Sequence, residues 1–409
     1  KSPTSMVKIL TIDIASSRVG FSSEEIAMIE AKAHDLPVPK FAIYQPDFEI
    51  IRKAREKYGN RKNFIIEGNG GSVSTLRGLL DCFLPATDKN VFILDTDDPD
   101  YISDLRKKCP VKDTLFVVIN RSGNSIQTVS GYLALKDYET IFITARGSTL
   151  YQIGEKEGIA LFDKTSEHPE FAGRFSGLTE FGLLPAAILD MDTKDIYEGG
   201  QEMYAVCAPS SPFSENPALQ LAATLDKLEK INYTEIFLST YSKKLNGFFE
   251  LIVQLTHESV CKDGKGQTIY GGDAPENQHH TLQRFNSGRN NSVGIFTTVR
   301  NFQHDFALPV PEHIRDIQCR NISIGQFEKL SMQDIIRTEF EGTWKDTVEK
   351  GLPAIHLELL NLSARSVGAF IAFWQYATFY SAILREVNPF DQPGVEKSKE
   401  YIFQLAEKK

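Results

Sequence analysis

Five short stretches of this 409-residue chain carry residue types suited to holding negative charge and moving protons. The first is Leu115–Thr128, LFVVINRSGNSIQT. Leu115 to Ile119 read as a buried strand, a turn of hydroxyl, amide and glycine residues follows, and a helical pattern begins after it. The first N–H groups of a helix lack internal partners and its dipole favours negative charge, so such a turn suits an anion. Ser122, Asn124, Ser125 and Thr128 add side-chain donors, and Arg121 adds a charge. The second stretch is Gly68-Asn69-Gly70-Gly71-Ser72, where clustered glycines let backbone amides approach a ligand. Its spacing is neither the dinucleotide fingerprint GxGxxG nor a P-loop. The third is Gly173-Arg174-Phe175-Ser176, whose arginine could hold a phosphate or a developing oxyanion.

The fourth stretch runs from 257 to 288 and gathers Glu258, Asp263, Asp273, Glu276, His279 and His280. A carboxylate and an imidazole are the usual base and acid near neutral pH. Adjacent histidines on a helix point to different faces and no HExxH spacing occurs, which argues against a metal site. The fifth is NPFDQPGVEKSK, which sets Lys399 about one and a half turns into a helix that starts near Gly394. Taken singly, each stretch has a commoner role: a helix cap, a flexible turn, a surface arginine, a polar loop, a solvated lysine. Their order along one chain gives them weight.

The surrounding elements must bring these groups together. Residues 1–60 read as a mostly helical lead-in, with a capping box at Ser22 or Ser23. From Asn63 the texture becomes βα alternation: NFIIEG, VFILD, LFVVIN and TIFIT, each followed by a helical stretch. Strands spaced in this way imply a parallel sheet covered on both faces, with ligands beyond the carboxyl ends of the strands. GNGGS and NRSGNS both lie at such ends. Residues 171–232 are helical in pattern, and further strands are expected at 234–241, 293–299 and 354–359. The segment 300–335 follows no clear period. A long apolar helix (Ser363–Glu386) and a short terminal one close the chain. The expected architecture is α/β, with two doubly wound parallel-sheet domains at 61–205 and 206–362. A helical lead-in (1–60) and a helical C-terminal extension (363–409) flank them.

The net charge of −9 argues against a general nucleic-acid or membrane surface. Five cysteines, odd in number and without a CxxC pair, read as reduced thiols of a cytoplasmic protein. No apolar run reaches membrane-spanning length, and KSPTSMVK lacks a signal-peptide core. A soluble protein is expected.

Together the stretches resemble the phosphoglucose (glucose-6-phosphate) isomerase family, most closely its short bacterial and archaeal members. FAGRFSGLTEFGLLPAA looks like the first family signature, and VNPFDQPGVEKSK is nearly letter-perfect for the second. GNGGS resembles the family's glycine motif, NRSGNSIQT its phosphate loop, and HESVCKDGKG with NQHHTLQRFNSG its acid/base segments. The resemblance spans about 64 to 399. It implies two sugar-isomerase (SIS) domains of three α/β/α layers and a homodimer without metal or cofactor. It also implies interconversion of glucose 6-phosphate and fructose 6-phosphate in glycolysis and gluconeogenesis.

Carried over residue by residue, the resemblance makes Glu258 the acid/base carboxylate and Arg174 the group facing the enediolate. His279 becomes the ring-opening histidine, supplied across the dimer interface, and Lys399 the active-site lysine. Asn120, Arg121, Ser122, Ser125 and Thr128 form the phosphate cradle, with Gly71, Ser72 and Gly173 beside the substrate. Asn120, Arg121 and Gln127 replace the serine, lysine and glutamate usual in the family loop, and His257 precedes Glu258 where glycine is common. Asp273 and Glu276 stand as alternative bases. Two other readings are a bifunctional phosphoglucose/phosphomannose isomerase and a non-catalytic SIS-type sensor; a sensor would need the cradle but no proton-transfer groups.

Overall fold

The computed structural model describes residues 8–162 and 172–409. Its strands are β1 (Leu10–Asp13), β2 (Asn63–Glu67), β3 (Asn90–Leu94), β4 (Thr114–Asn120), β5 (Glu139–Thr144) and β6 (Ala160–Phe162). They continue with β7 (Glu235–Thr240), β8 (Thr268–Asp273), β9 (Ser292–Asn301), β10 (Gln318–Cys319), β11 (Ile322–Ser323) and β12 (Ala354–Asn361). The first sheet has the order β3-β2-β4-β5-β6 and is parallel throughout. All seven residues of β4 are buried, which is why its sequence is a continuous apolar run rather than an alternating one. Side chains of β2 split between two cores: Phe64 and Ile66 join the larger one, Ile65 the smaller one under the helix Ile126–Ala134.

The strand order reverses between β2 and β4, and doubly wound sheets open a ligand crevice at such a point. The two loops singled out by composition, 68–72 and 120–125, follow these two strands.

The second sheet has the order β1-β12-β9-β7-β8. Four of its strands are parallel, and β1 runs antiparallel to β12 with Leu10 opposite Leu359. The lead-in is therefore not purely helical: four residues of it close the edge of the second sheet. The signal for them is the alternation of Leu10, Ile12 and Ile14 with Thr11 and Asp13, a period of two that a helical reading of the lead-in passes over. The helix that follows, Ser23–His34, starts with a complete capping box at Ser22 and Glu25. β8 escapes sequence reading for another reason. TIYGGD carries two glycines and reads as loop, yet both glycines have positive φ and pair along β7. The segment 302–331 holds the β10–β11 hairpin and short 3-10 turns.

The helix Ala364–Leu384 is buried almost all round and lies against the helices Thr193–Val206 and Pro217–Glu229. It is long and apolar enough to cross a membrane, which corrects the expectation that no segment qualifies. Its most apolar window is 89% buried inside the fold, which makes it a core helix. Its partner approaches closely. A Cβ on Gly368 would lie 1.8 Å from the Ile196 carbonyl oxygen, and one on Gly199 1.9 Å from that of Arg365. Neither backbone can yield without moving a whole helix. Gly368→Ala is expected to lower stability by about 3 kcal/mol. Urea unfolding would read this as an earlier midpoint with unchanged slope; an unmoved midpoint would mean the helices part without cost.

Candidate functional site

Gly71 is where the first sheet's glycine loop meets the Arg174 turn. A Cβ on Gly71 would come within 2.2 Å of the Arg174 backbone nitrogen and 2.3 Å of the Gly173 carbonyl carbon. Only glycine allows that approach. Ser72 ends the short 3-10 turn Gly70–Ser72, and the helix Ser74–Phe83 follows. The residues 163–171, including Phe171 of the first signature, lie outside the described part of the chain.

Arg174 is not a surface residue. It is 2% exposed and its guanidinium reaches five acceptors. Nε donates to Ser259 Oγ (2.7 Å), and Nη1 donates to Glu258 Oε2 (2.9 Å) and Gln392 Oε1 (3.0 Å). Nη2 donates to the carbonyl oxygens of Pro389 (2.7 Å) and Asp391 (2.9 Å). Burial pushes the guanidinium below its ordinary value, and Glu258 and then Asp391 act against that shift. The arginine thus joins the Glu258 carboxylate to residues 389–392 within the second signature.

Glu258 sits near the end of the helix Phe249–Ser259. Its second oxygen accepts from Gln254 Nε2 at 3.1 Å, and Gln254 Oε1 accepts in turn from Ser74 Oγ at 3.1 Å. Both carboxylate oxygens are therefore oriented, one by a buried cation and one by an amide, while the side chain keeps 35% of its exposure. It faces a cavity of about 230 Å³, whose wall includes Asn69, Gly70, Ser74, Arg77 and Gln254. Gln254 and Gln392 escape the sequence reading. Gln254 has a usable signal, since it stands one helical turn before Glu258 on the same face. Gln392 is brought in by a loop, and no local period marks it.

Around the first sheet's second loop, Asn120 turns inward and ties the turn together. Its Oδ1 accepts from Ser122 Oγ (3.0 Å) and the Gly123 N–H (2.9 Å), and its Nδ2 donates to Thr128 Oγ1 (2.6 Å). Asn120 and Thr128 are buried and brace the loop, while Ser122 is exposed and Ser125 is half-buried at the helix N-cap. Ser125 makes no side-chain capping bond, so the hydroxyl is not spent on its own helix. Half-buried Arg121 has its guanidinium pushed down by burial, a cost that a bound anion would offset.

His279 ends the short turn Glu276–His279 after β8 and is exposed. Lys399 lies on the helix Glu396–Glu407, half exposed, with Nζ 2.8 Å from Glu396 Oε1. No hydrogen bond or ion pair among the described residues joins either one to Glu258 or Arg174. Of the alternative bases, Asp273 is paired with Lys243 at 2.6 Å and Glu276 is exposed.

No family model matches the chain. Among curated proteins it is 28% identical over 400 residues to a probable glucose-6-phosphate isomerase of Haloarcula marismortui, covering 96% of this chain and 89% of that one. It is 27% identical over 415 residues to the glucose-6-phosphate isomerase of Acholeplasma laidlawii, covering 97% and 93%. Over almost its whole length the chain is similar to glucose-6-phosphate isomerases. Solved structures agree on the fold. A hypothetical protein of Thermus thermophilus aligns with TM-score 0.85 at 22% identity, covering 97% of this chain and 99% of that one. A glucose-6-phosphate isomerase of Chlamydia trachomatis aligns at 0.76 and 18%, covering 98% and 89%. Within this chain, the clamped Glu258 carboxylate and the braced 120–128 loop are the two arrangements that the fold builds around the candidate residues.

Proposed function

We propose that this chain is an aldose–ketose isomerase that interconverts glucose 6-phosphate and fructose 6-phosphate. The observation that carries the reading is Glu258, held between Arg174 and Gln254 at the wall of a cavity beside the glycine loop. The phosphate binds at residues 120–128, where the helix N-terminus, Ser122, Ser125 and Arg121 supply donors. That remote contact fixes the reacting carbons relative to Glu258.

Ring opening moves the proton of the C1 hydroxyl to the ring oxygen, a task assigned to His279 with Lys399. Glu258 then takes the C2 proton and returns it to C1. The intervening cis-enediolate carries charge on oxygen, which Arg174 stabilises from behind the carboxylate. His279 is exposed in the single chain, and this reading has it delivered by a second copy in a homodimer. The scattered cysteines, none in a disulfide, support a cytoplasmic setting.

The test follows formation of glucose 6-phosphate from fructose 6-phosphate in a coupled assay. Turnover is the expected result. Tight binding of the sugar phosphate without turnover would replace the isomerase by a sugar-phosphate sensor.

A further inference from the structure

A second carboxyl is buried at the end of β2, and the mechanism does not use it. Glu67 is the last residue of β2, directly before the glycine loop, and is 2% exposed. Its Oε2 is fully buried without a hydrogen-bond partner among the described residues. It lies against the helix Ile126–Ala134, the helix whose first turn forms the anion loop. A Cβ on Gly131 would meet Glu67 Oε1 at 2.2 Å, so only glycine can face this carboxyl.

The charges around it are few. β3 and β4, on either side of β2, carry no ionisable side chain. The helix above brings only Tyr132, which packs edge-on against Phe142. The loop after β3 brings Asp97, which accepts from Ser130 Oγ at 2.8 Å on that same helix. Asp95 on that loop is engaged with Arg77. Burial, and then the repulsion of Asp97, push the Glu67 carboxyl up to about 9. At neutral pH it is therefore uncharged.

We propose that Glu67 is a positioning residue for anion binding: its neutral carboxyl seats the helix Ile126–Ala134 through Gly131, and its ionisation displaces that helix and weakens binding at residues 120–128. The physical reason is that a buried carboxylate between a like charge and an apolar core has no partner here. It must reach water, and the path passes the Gly131 contact. A dianion at the loop and an anion at Glu67 also repel each other, so the two effects have one sign. The proposal rests on the phosphate-loop reading of 120–128.

The test measures inorganic phosphate and fructose 6-phosphate binding by calorimetry from about pH 7 to about pH 10, for wild type, Glu67→Gln and Asp97→Asn. Hydrogen exchange of amides 126–134 is followed over the same range. In wild type, affinity falls about tenfold across the upper part of the range, and exchange rises faster than its ordinary base catalysis. Glu67→Gln abolishes both effects, because the amide has the carboxyl's shape and does not titrate. Asp97→Asn moves both to lower pH, since the charge that keeps Glu67 protonated is gone. The same alkaline profile in wild type and Glu67→Gln would overturn the proposal. Absence of phosphate binding at every pH would overturn the phosphate-loop reading, and the exchange profiles would still decide the coupling of Glu67 to the helix.

Discussion

Glu258→Gln is expected to lower kcat for the isomerisation by about 10³-fold while leaving fructose 6-phosphate affinity within about threefold. The amide is isosteric, so the cavity keeps its shape. Its oxygen still accepts from Arg174, and Gln254 can turn its own amide to meet the new donor. What is lost is the only function that needs a charge: an amide oxygen cannot carry a proton from C2 to C1. On the proposed reading the phosphate is held at 120–128, a loop the substitution does not touch, so the loss falls in kcat and spares binding. Steady-state kinetics in both directions, with calorimetry for binding, separate the two. A variant with wild-type kcat would move the base elsewhere, and the structure leaves poor candidates. Asp273 is neutralised by Lys243 at 2.6 Å, and Glu276 is exposed at the foot of the His279 turn.

The parts of this site that are legible in the sequence share a property. Each is local: a buried strand, a turn whose composition differs from its surroundings, then a helix start. β4 with its 120–125 turn, and β2 with its glycine loop, are written in consecutive residues and stand where the pattern places them. Local pattern also yields β3 and β5 of the first sheet, β7, β9 and β12 of the second, and the long apolar helix. Long-range contact is what it cannot yield. Arg174 reaches residues 84 to 218 positions away, and nothing around GRFS says that its side chain is buried. Asn120 reads in sequence as a ligand for phosphate, and its side chain instead braces its own loop. Either use suits an asparagine at that position, and three hydrogen bonds in space decide it. β1 finds its place only through its partner β12, at the far end of the chain, where Leu10 stands opposite Leu359 and Asp13 opposite His356. Its own signal is a short one, Leu10, Ile12 and Ile14 alternating with Thr11 and Asp13. Glu67 reads in sequence as the polar end of a strand. Only the absence of a Cβ at Gly131 shows that the side chain is folded under a helix.

Arg174→Lys is expected to cost about tenfold less activity than loss of the base, and to be more damaging to structure. A guanidinium presents five N–H groups in a fixed plane; an ammonium presents three on one atom. Lysine can keep the charge beside Glu258, but it cannot reach Ser259, Gln392 and the two carbonyls of Pro389 and Asp391 together. At least two acceptors lose their donor in a site where Arg174 is 2% exposed. Stability should fall by about 3 kcal/mol, less than for a wholly buried pair because Glu258 is about a third exposed. The change is also directional. Residues 389–392 are held by Arg174 from one side and by Lys262, which bonds Asp391 Oδ1 at 2.6 Å, from the other. With one of the two pins gone, the segment that carries Lys399 should become a cleavage site for proteases well before the rest unfolds. A fall in kcat of about 10²-fold follows from the unfixed Glu258 carboxylate, since a general base acts only from the right position. Limited proteolysis, urea unfolding and kinetics on one preparation test all three. If the variant is cut no faster than wild type and keeps its kcat, the bonds from Arg174 to the 389–392 loop hold nothing that the site needs.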